Sequence, residues 1–352
     1  MRSKTIVVAL GYAEFSIRFS NAISQYTDVD AILYNDNYQA ESADLITKNE
    51  NVSIHLVSKS RKTELLILVM KLLLSNRYKL VHVEETTSKL VLPIYFMAKL
   101  SARLYVRVHD PEPHSGTDER LNPFVRLTMG IGRRLSTHLL ANGEYCAAKL
   151  RDRYRRDVIA TQHGEILIPT NSQLSSPEAR TFLFFGRIEK YKGLEVALDA
   201  IDILERANIP CRLIVAGRGS ELTRLGPRLQ THPFVKLIPG YLSYTELVSL
   251  IQKTSCVLMP YLDATQSGVL AAAFAGGRPV IASDVGGISE LVRHNENGLL
   301  VAPNDAKALA EQMKLFLSSQ AISEKLAVGA RKAAANELSW KTITAKISRL
   351  YL

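Results

Sequence analysis

The chain has 352 residues, of which 47% are hydrophobic and 22% are charged, and this balance excludes wholesale disorder, collagen-like repeats and a small disulfide scaffold. The length suggests two domains. Lys and Arg number 44 against 34 Asp and Glu, so the net charge is +10. Such a surplus favours an anionic partner, which includes a nucleotide, a phospholipid surface or a nucleic acid.

Cysteine usage and hydropathy both point to the cytoplasm. The three cysteines are widely spaced, and they indicate neither a disulfide framework nor a metal-binding pair. The longest apolar run, at 65–74, is interrupted by Lys71 and has about half of the roughly 20 residues that a membrane span needs. We therefore expect a cytoplasmic protein.

Short apolar runs recur along the chain, with segments of helical length between them. Such runs are typical of strands that are buried on both faces, and parallel sheets need helices between their strands. The runs lie at 5–10, 31–34, 80–83, 104–108, 137–142, 182–186, 212–217, 235–240, 256–261 and 279–283. They predict an α/β protein with two doubly wound sheets.

A change of composition divides the chain. Residues 165–180 contain two prolines, three Ser and one Asn without helical periodicity, as a linker does. The last residues carry apolar side chains at helical spacing from Trp340 to Leu350. The predicted parts are an N-terminal domain at 1–165, a linker at 166–180, a C-terminal domain at 181–334 and a terminal helix at 335–352 that docks on the N-terminal domain.

The first motif is FFGRIEKYKG at 184–193. An apolar strand ends at Gly186, and the cations Arg187 and Lys192 follow it. Ligands of open α/β sheets bind beyond the carboxyl ends of the strands, where Arg grips a diphosphate in fork geometry and Lys adds a point charge. Two solvated cations on a turn are the simpler interpretation of the motif by itself.

Glycine turns follow further strands of the same half. Gly217 lies in AGRGSE at 216–221, and Gln266, Ser267 and Gly268 precede a helix of small residues at 269–275. A helix N-terminus binds phosphate through its N–H groups. The simpler alternative is that Ser267 or Thr265 serves only as the N-cap of this helix. Together with a third glycine turn after the next strand, these segments indicate one common crevice.

Two features of the first half carry further candidates. The strand at 104–108 leads into His109 and a loop that Pro111 and Pro113 hold extended; a metal site there is the weaker interpretation. Residues 120–156 contain nine Lys and Arg against two acids. A basic face next to apolar residues suits an anionic membrane surface, and an ordinary solvated face is the alternative.

The motifs together resemble the donor-binding domain of the retaining glycosyltransferases of family 4, the group 1 glycosyl transferases. The matching stretches are FFGRIEKYKG, LIVAGRGSE, GYLSYTELVSLIQKTSCVLMPY and GGRPVIASDVGGISELVRHNENGLLVAP. The resemblance implies a GT-B architecture, in which two Rossmann-like domains face each other across a cleft. The N-terminal domain would bind the acceptor and the C-terminal domain a nucleotide-sugar. No metal or other cofactor is expected.

The resemblance also implies roles for particular residues. Arg187 and Lys192 would bind the donor diphosphate and stabilise its charge as it leaves. His109 would donate a hydrogen bond to the donor sugar, and His114 would hold the acceptor. The loop at Gly11 and Tyr12 would face the acceptor and the donor phosphates. The implied donor-binding residues are Gly186, Gly217, Tyr241, Leu242, Gln266, Ser267, Gly268 and Val269.

One departure from the family pattern concerns two alanines. The family commonly has two glutamates with seven residues between them, one at the donor sugar and one at the ribose. The corresponding positions here are Ala264 and Ala272, and alanine can serve neither purpose. Gln266 would then take the place near the sugar, and backbone or water would serve the ribose.

The leading hypothesis is a transferase that moves a sugar from a nucleoside-diphosphate sugar to a glycan hydroxyl, with retention of configuration. The acceptor would be lipid-linked, in cell-surface polysaccharide or glycoconjugate synthesis, and the enzyme peripheral at the inner membrane face. The alternatives are a degenerate partner subunit, which the two alanines favour, and a nucleotide-sugar epimerase. A nucleic-acid binder is disfavoured, because no reader module or aromatic–basic interleaving occurs.

Overall fold

The structure is a computed structural model that describes residues 2–36, 49–75, 77–112, 122–165 and 177–352. These residues form two compact units. The N-terminal unit comprises the described residues up to Gly164 together with Trp340–Leu352. The C-terminal unit comprises the described part of Glu165–Ser339.

The N-terminal unit is built on a parallel sheet of seven strands. In chain order, β1 to β7 are Lys4–Ala9, Asp28–Tyr34, Val52–Val57, Tyr78–Glu84, Arg103–Val108, His138–Asn142 and Val158–Thr161. Their spatial order is β3-β2-β1-β4-β5-β6-β7. This is a doubly wound order, whose direction reverses between β1 and β4.

Helices cover both faces of this sheet. In chain order, α1 to α5 are Ala13–Ile23, Lys62–Leu74, Val91–Ser101, Pro123–Leu135 and Glu144–Tyr154. The inward side chains of α2, α3 and α5 fill one core with the sheet, and those of α1 fill a second core with the end of the chain. Because both faces are covered, the central strands are largely apolar, as the sequence predicts.

The C-terminal unit has a parallel sheet of six strands. In chain order, β8 to β13 are Thr181–Arg187, Arg212–Arg218, Val235–Pro239, Cys256–Met259, Val280–Ser283 and Gly298–Val301. The spatial order, β10-β9-β8-β11-β12-β13, is again doubly wound. The helices α6 to α12 are Leu194–Arg206, Ser220–Arg224, Gly226–Thr231, Tyr244–Lys253, Gly268–Ala275, Ala306–Ser318 and Gln320–Ala333.

The last residues of the chain pack in the N-terminal unit. Helix α13 spans Trp340–Ile347 and packs beside α1. The Trp340 ring lies edge-on to Phe15, with 5.0 Å between the ring centroids. Further along, the Tyr351 hydroxyl lies 2.8 Å from Nδ1 of His82. The terminal segment thus closes the core beneath β1 and β4.

The predicted α/β class with two doubly wound parallel sheets is confirmed, and every predicted apolar run overlaps a strand. The pattern missed β3, β7 and β13, which all lie at sheet edges. An edge strand has less of its surface covered, and most residues of β3 are partly or fully exposed. The continuous apolar run that marks a central strand is therefore absent from its sequence. Within the described residues, no helix combines the length and hydropathy needed to cross a bilayer.

Candidate active site

The strand order of the C-terminal sheet reverses between β8 and β11. The chain runs outward from β8 through β9 to β10 and then returns to place β11 on the other side of β8. Ligands of open α/β sheets lie at such a switch point, beyond the carboxyl ends of the strands. The segments that leave β8 and β11 here are two of the motifs that the sequence singles out.

A cavity of about 220 Å³ lies at this switch point. One wall is the segment after β8, and the other is the segment from β11 into α10. The lining residues are Gly186, Arg187, Tyr191, Lys192, Tyr261, Ala264, Gln266, Ser267, Gly268 and Val269. The cavity therefore brings together both predicted cations and most of the predicted donor-binding residues. Among the described residues, no carboxylate lines it.

The Lys192 ammonium is the main electrostatic feature of the cavity. Lys192 is 6% exposed, and its Nζ lies 3.4 Å from the carbonyl oxygen of Phe185 and 5.3 Å from the centroid of the Tyr261 ring. Among the described residues it forms no salt bridge with a carboxylate. Burial, and then the nearby Arg187 cation, lower the pKa of Lys192 to about 7. A buried cation without a counter-charge suits an anionic ligand.

Helix α10 begins at the cavity wall. Ser267 is its N-cap residue, and its Oγ accepts a hydrogen bond from the Leu270 N–H over 3.4 Å. The structure thus bears out the capping role considered for Ser267. It also places the first turn of α10, at Gly268 and Val269, in the cavity wall. N–H groups of a first helical turn carry partial positive charge, which adds to that of the two cations.

At two glycines at or beside the cavity edge, an added side chain would come into close contact with neighbouring atoms. Gly186 has a φ of +106°, and an added Cβ there would lie 3.0 Å from the Lys192 Nζ. Gly217 has a φ of +142°, and an added Cβ there would overlap the carbonyl oxygen of Gly186. Gly186 lines the cavity, whereas Gly217 supports it from the neighbouring strand.

Two of the implied donor-binding residues, Tyr241 and Leu242, lie outside the cavity lining. Tyr241 follows β10 and is 56% exposed, with the Arg218 guanidinium 5.5 Å from its ring centroid. Leu242 packs against the core of the C-terminal unit. Neither residue lines the cavity, although both follow the carboxyl end of a strand.

The two alanines differ in their surroundings. Ala264 lines the cavity and is 2% exposed. Ala272 lies inside α10, is 1% exposed, and packs in the core of the unit. A methyl group therefore stands in the wall at the first position, and the second position is filled by packing.

His109 lies at the carboxyl end of β5 in the N-terminal unit. Its Nε2 is 2.9 Å from Oε2 of Glu84, and its Nδ1 is 2.9 Å from Nδ2 of Asn142. Both ring nitrogens are therefore engaged within the unit. A hydrogen bond from His109 to a sugar would require one of these two bonds to break.

Tyr12 stacks on the His109 ring with 4.2 Å between centroids. Tyr12 has a φ of +55° and precedes α1. The neighbouring Gly11 has open space where a Cβ would be. The special backbone position of this loop is thus Tyr12 and not the glycine. His114 lies outside the described residues.

A buried polar network extends from His109 into the N-terminal unit. Glu84 is 1% exposed and lies 3.0 Å from Nε2 of His82. Its Oε1 is 3.7 Å from Nη1 of Arg107, whose guanidinium lies 4.1 Å from the Phe19 ring centroid. Burial acts to raise the pKa of Glu84, but Arg107, His82 and His109 hold that pKa well below its ordinary value. Glu84 is the anion that these groups share.

The sequence motifs missed Tyr191, Tyr261 and the Glu84 network. Tyr191 stands within the first motif, and Tyr261 comes just after β11; the two rings lie edge to face with centroids 6.1 Å apart. Knowing that β11 neighbours β8 would have placed both tyrosines in the site. For the network, the signal is the charged residues within otherwise apolar strands, such as Arg107 in LYVRV.

Ser267→Ala is expected to lower the free energy of unfolding by about 1 kcal/mol, because α10 loses its N-cap hydrogen bond. Urea denaturation measures this change. Ser323→Ala, at a partly exposed serine of α12 whose Oγ donates a hydrogen bond to a carbonyl oxygen of its own helix, is the control and should change the stability little. Equal stability of Ser267→Ala and wild type would contradict the capping role.

Comparisons with known proteins agree with this geometry. The model of the family described as "Glycosyl transferases group 1" matches residues 170–333. A glycogen synthase of Mycobacterium tuberculosis is 28% identical over 172 residues, which cover 48% of this chain and 42% of the relative. A phosphatidyl-myo-inositol mannosyltransferase of Mycobacterium leprae is 26% identical over 223 residues, which cover 59% of this chain and 58% of the relative. The chain spans about half the length of these curated relatives.

The fold is similar to solved structures over almost the whole chain. Alr3699/HepE of Anabaena, solved in complex with UDP-glucose, superposes with a TM-score of 0.72 at 19% identity, covering 99% of this chain and 98% of that one. At this identity the likeness shows the fold. It confirms the predicted α/β fold class of the GT-B type with two Rossmann-like domains.

Proposed function

We propose that this protein is a group 1 glycosyltransferase that uses a nucleoside-diphosphate sugar and retains the anomeric configuration. The observation that carries the proposal is the cavity at the β8/β11 switch point, where the buried Lys192 ammonium and Arg187 stand with the first turn of α10. The family match over 170–333 covers this site, which supports the assignment.

The site fits the stabilisation of a leaving diphosphate. A nucleoside diphosphate gains negative charge as the sugar leaves, and fixed positive groups that face this charge lower the barrier. Lys192 acts from a desolvated position, where charge interactions are stronger than in water. Arg187, which is more exposed, adds the fork geometry that suits a phosphate. We assign these two cations as the catalytic residues of the C-terminal unit.

No side chain is assigned as a general base. In the mechanism that the resemblance to retaining glycosyltransferases implies, the leaving phosphate oxygen takes the proton of the acceptor hydroxyl on the same face of the sugar. We further propose that no metal is required. Within the part of the chain that the structure describes, the cavity lining offers two cations and no carboxylate, whereas Mg²⁺ and Mn²⁺ prefer carboxylate ligands.

The partners follow from the same proposal. The donor is a nucleoside-diphosphate sugar, and UDP is the first nucleotide to test because a structural neighbour is solved with UDP-glucose. The acceptor is a hydroxyl of a lipid-linked glycan, which we assign to the N-terminal unit with Tyr12. The protein would act in the cytoplasm, peripheral to the inner membrane face.

A thermal-shift screen with UDP, GDP, ADP and their sugar conjugates, without added metal, tests the donor assignment. A nucleotide at about 100 times its dissociation constant stabilises the folded state by about 2.7 kcal/mol. We expect one nucleotide class to raise the melting temperature. Arg187→Ala should remove the shift, and Lys190→Ala should keep it, because Lys190 is an exposed cation outside the cavity lining.

Other outcomes would contradict the proposal. The absence of a shift with every nucleotide would favour the degenerate partner subunit, with Ala264 as the physical reason. Conversion of the donor sugar to its epimer without any acceptor would favour the epimerase. A shift that Arg187→Ala leaves unchanged would remove the diphosphate from this cavity.

A further inference from the structure

Three neighbouring helices of the N-terminal unit expose large apolar side chains. Helix α3 packs between α2 and α4, and the buried residues of α2 and α3 face the same core. The opposite, outward sides form what we call the α2–α4 face. Its exposed apolar residues are Ile67, Met70, Leu74, Phe96, Leu100, Phe124 and Leu127.

The exposure follows helical periodicity and is large. Ile67, Met70 and Leu74 recur at the spacing of one helical face, and Leu74 is 72% exposed. Leu100 of α3 is 88% exposed. A surface helix of a monomeric protein normally presents a polar outer side. Large exposed apolar residues on three adjacent helices therefore indicate an interaction surface.

The same helices are strongly basic. Their only acid is Glu64, which is already paired with Arg61 at 2.9 Å. At the edge of the face, the Lys89 Nζ lies 5.3 Å from the Phe124 ring centroid. The cations of the three helices are Lys62, Lys71, Lys99, Arg126, Arg133 and Arg134.

The basic region predicted at 120–156 is less available than its charge suggests. Arg133 is buried and bonds Glu85, and Lys149 bonds Glu112 at 2.7 Å. Arg151 also pairs with a carboxylate. These three cations are thus engaged within the unit, and the exposed combination of apolar and basic side chains lies on the α2–α4 face, which shares only α4 with this region.

We propose that the α2–α4 face docks on an anionic phospholipid bilayer. Leu74 and Leu100 would enter the acyl boundary, while Lys71 and Lys99 reach the lipid phosphates by snorkelling. A basic, acid-poor rim around apolar side chains is complementary to an anionic lipid surface, and this argues for a bilayer over a second copy of the equally basic chain. The inference extends the proposed lipid-linked acceptor, because it would hold the acceptor-binding unit at the membrane.

Vesicle co-sedimentation of the full chain tests the proposal. Wild type should bind phosphatidylcholine vesicles that contain phosphatidylglycerol, and high salt should weaken this binding by screening. Leu74→Glu/Leu100→Glu should lower the partition coefficient at least about tenfold, because two apolar contacts are lost. The matched control is Val328→Glu, at a 43% exposed residue of the C-terminal unit, and it should bind as wild type does.

The contrary outcomes are distinct. Absence of wild-type binding to the anionic vesicles, or equal binding by the double variant, would overturn the proposal. A dimer in light scattering without vesicles, lost in the double variant, would instead assign the face to a second copy. The nucleotide thermal shift of the double variant should persist, so failure of the docking surface can be told from failure of the donor assignment.

Discussion

Lys192→Met is expected to weaken nucleoside-diphosphate binding by about 2–5 kcal/mol, the usual cost of truncating one partner of a buried charge pair. Lys192 is 6% exposed and faces the cavity from beneath Gly186. A bound phosphate there would have no water to replace the lost ammonium. Methionine keeps the length of the side chain and removes its charge. Isothermal titration calorimetry measures the loss.

Without ligand, the same variant should be more stable than wild type. Burial, and then Arg187, lower the pKa of Lys192 from 10.5 to about 7. Between these two pH values the unfolded chain binds more protons than the folded one, so the stability of wild type rises with pH. The cost of the buried charge is complete below pH 7 and disappears toward pH 10.5. The advantage of Lys192→Met should therefore be largest at pH 6 and narrow by pH 9.

Lys190→Met is the matched control for both measurements. It removes an exposed cation from the same short helix, Lys190–Lys192. Its nucleotide affinity and its stability between pH 6 and 9 should follow wild type. Wild-type affinity in Lys192→Met would show that the buried ammonium does not contact the diphosphate.

Glu84→Gln is expected to lower the free energy of unfolding by about 3–5 kcal/mol, as breaking a buried ion pair does. Arg107 is fully buried, and Glu84 is the carboxylate that pairs with it. The amide removes the counter-charge. Its NH₂ group would also set a hydrogen-bond donor against the ring N–H groups that His82 and His109 direct at Glu84. Urea denaturation at neutral pH measures the change.

Acid should reduce the difference in unfolding free energy between wild type and Glu84→Gln. Burial alone would raise the pKa of Glu84, but Arg107 and the two histidines hold this pKa well below 4.5. The stabilisation is therefore complete above pH 4.5 and is lost as pH falls through the lower native pKa. Glu64→Gln, at an exposed pair on α2, is the control and should cost less than about 1 kcal/mol. A similarly small loss in Glu84→Gln would contradict the role of Glu84 as shared anion.

The sequence predicts the central strands well, because a strand covered on both faces must be apolar along its length. Thr181–Arg187 and Arg212–Arg218 are examples in which the predicted runs lie within the observed strands. An edge strand that is exposed to solvent carries a weaker pattern, since fewer of its side chains need to be apolar. This is why Val52–Val57, with Ser53 and Leu56 exposed, gave no continuous run.

The candidate site was predictable where a motif follows a strand directly. Arg187 ends β8, Lys192 follows it and Ser267 caps α10, so each is fixed by local chain direction. That these segments share one cavity depends on β11 returning beside β8, which is a property of strand order. Only the strand order shows that Tyr261 belongs to the site.

The polar network could not be read as a unit from the sequence. Glu84 and Arg107 come from neighbouring strands, and Tyr351 reaches His82 from the end of the chain. Each residue alone has the pattern of an ordinary polar interruption. Only the packing of the terminal segment under the sheet shows that they form one buried cluster.

The central claim is that the β8/β11 cavity binds the diphosphate of a nucleotide-sugar. The most direct test is a calorimetric titration of the metal-free protein with a nucleoside, its monophosphate and its diphosphate, beginning with the uridine series. The account predicts that affinity rises with each phosphate and that Lys192→Met removes this rise while any affinity for the nucleoside remains. Equal affinity for nucleoside and diphosphate, or a phosphate dependence that survives in Lys192→Met, would contradict it.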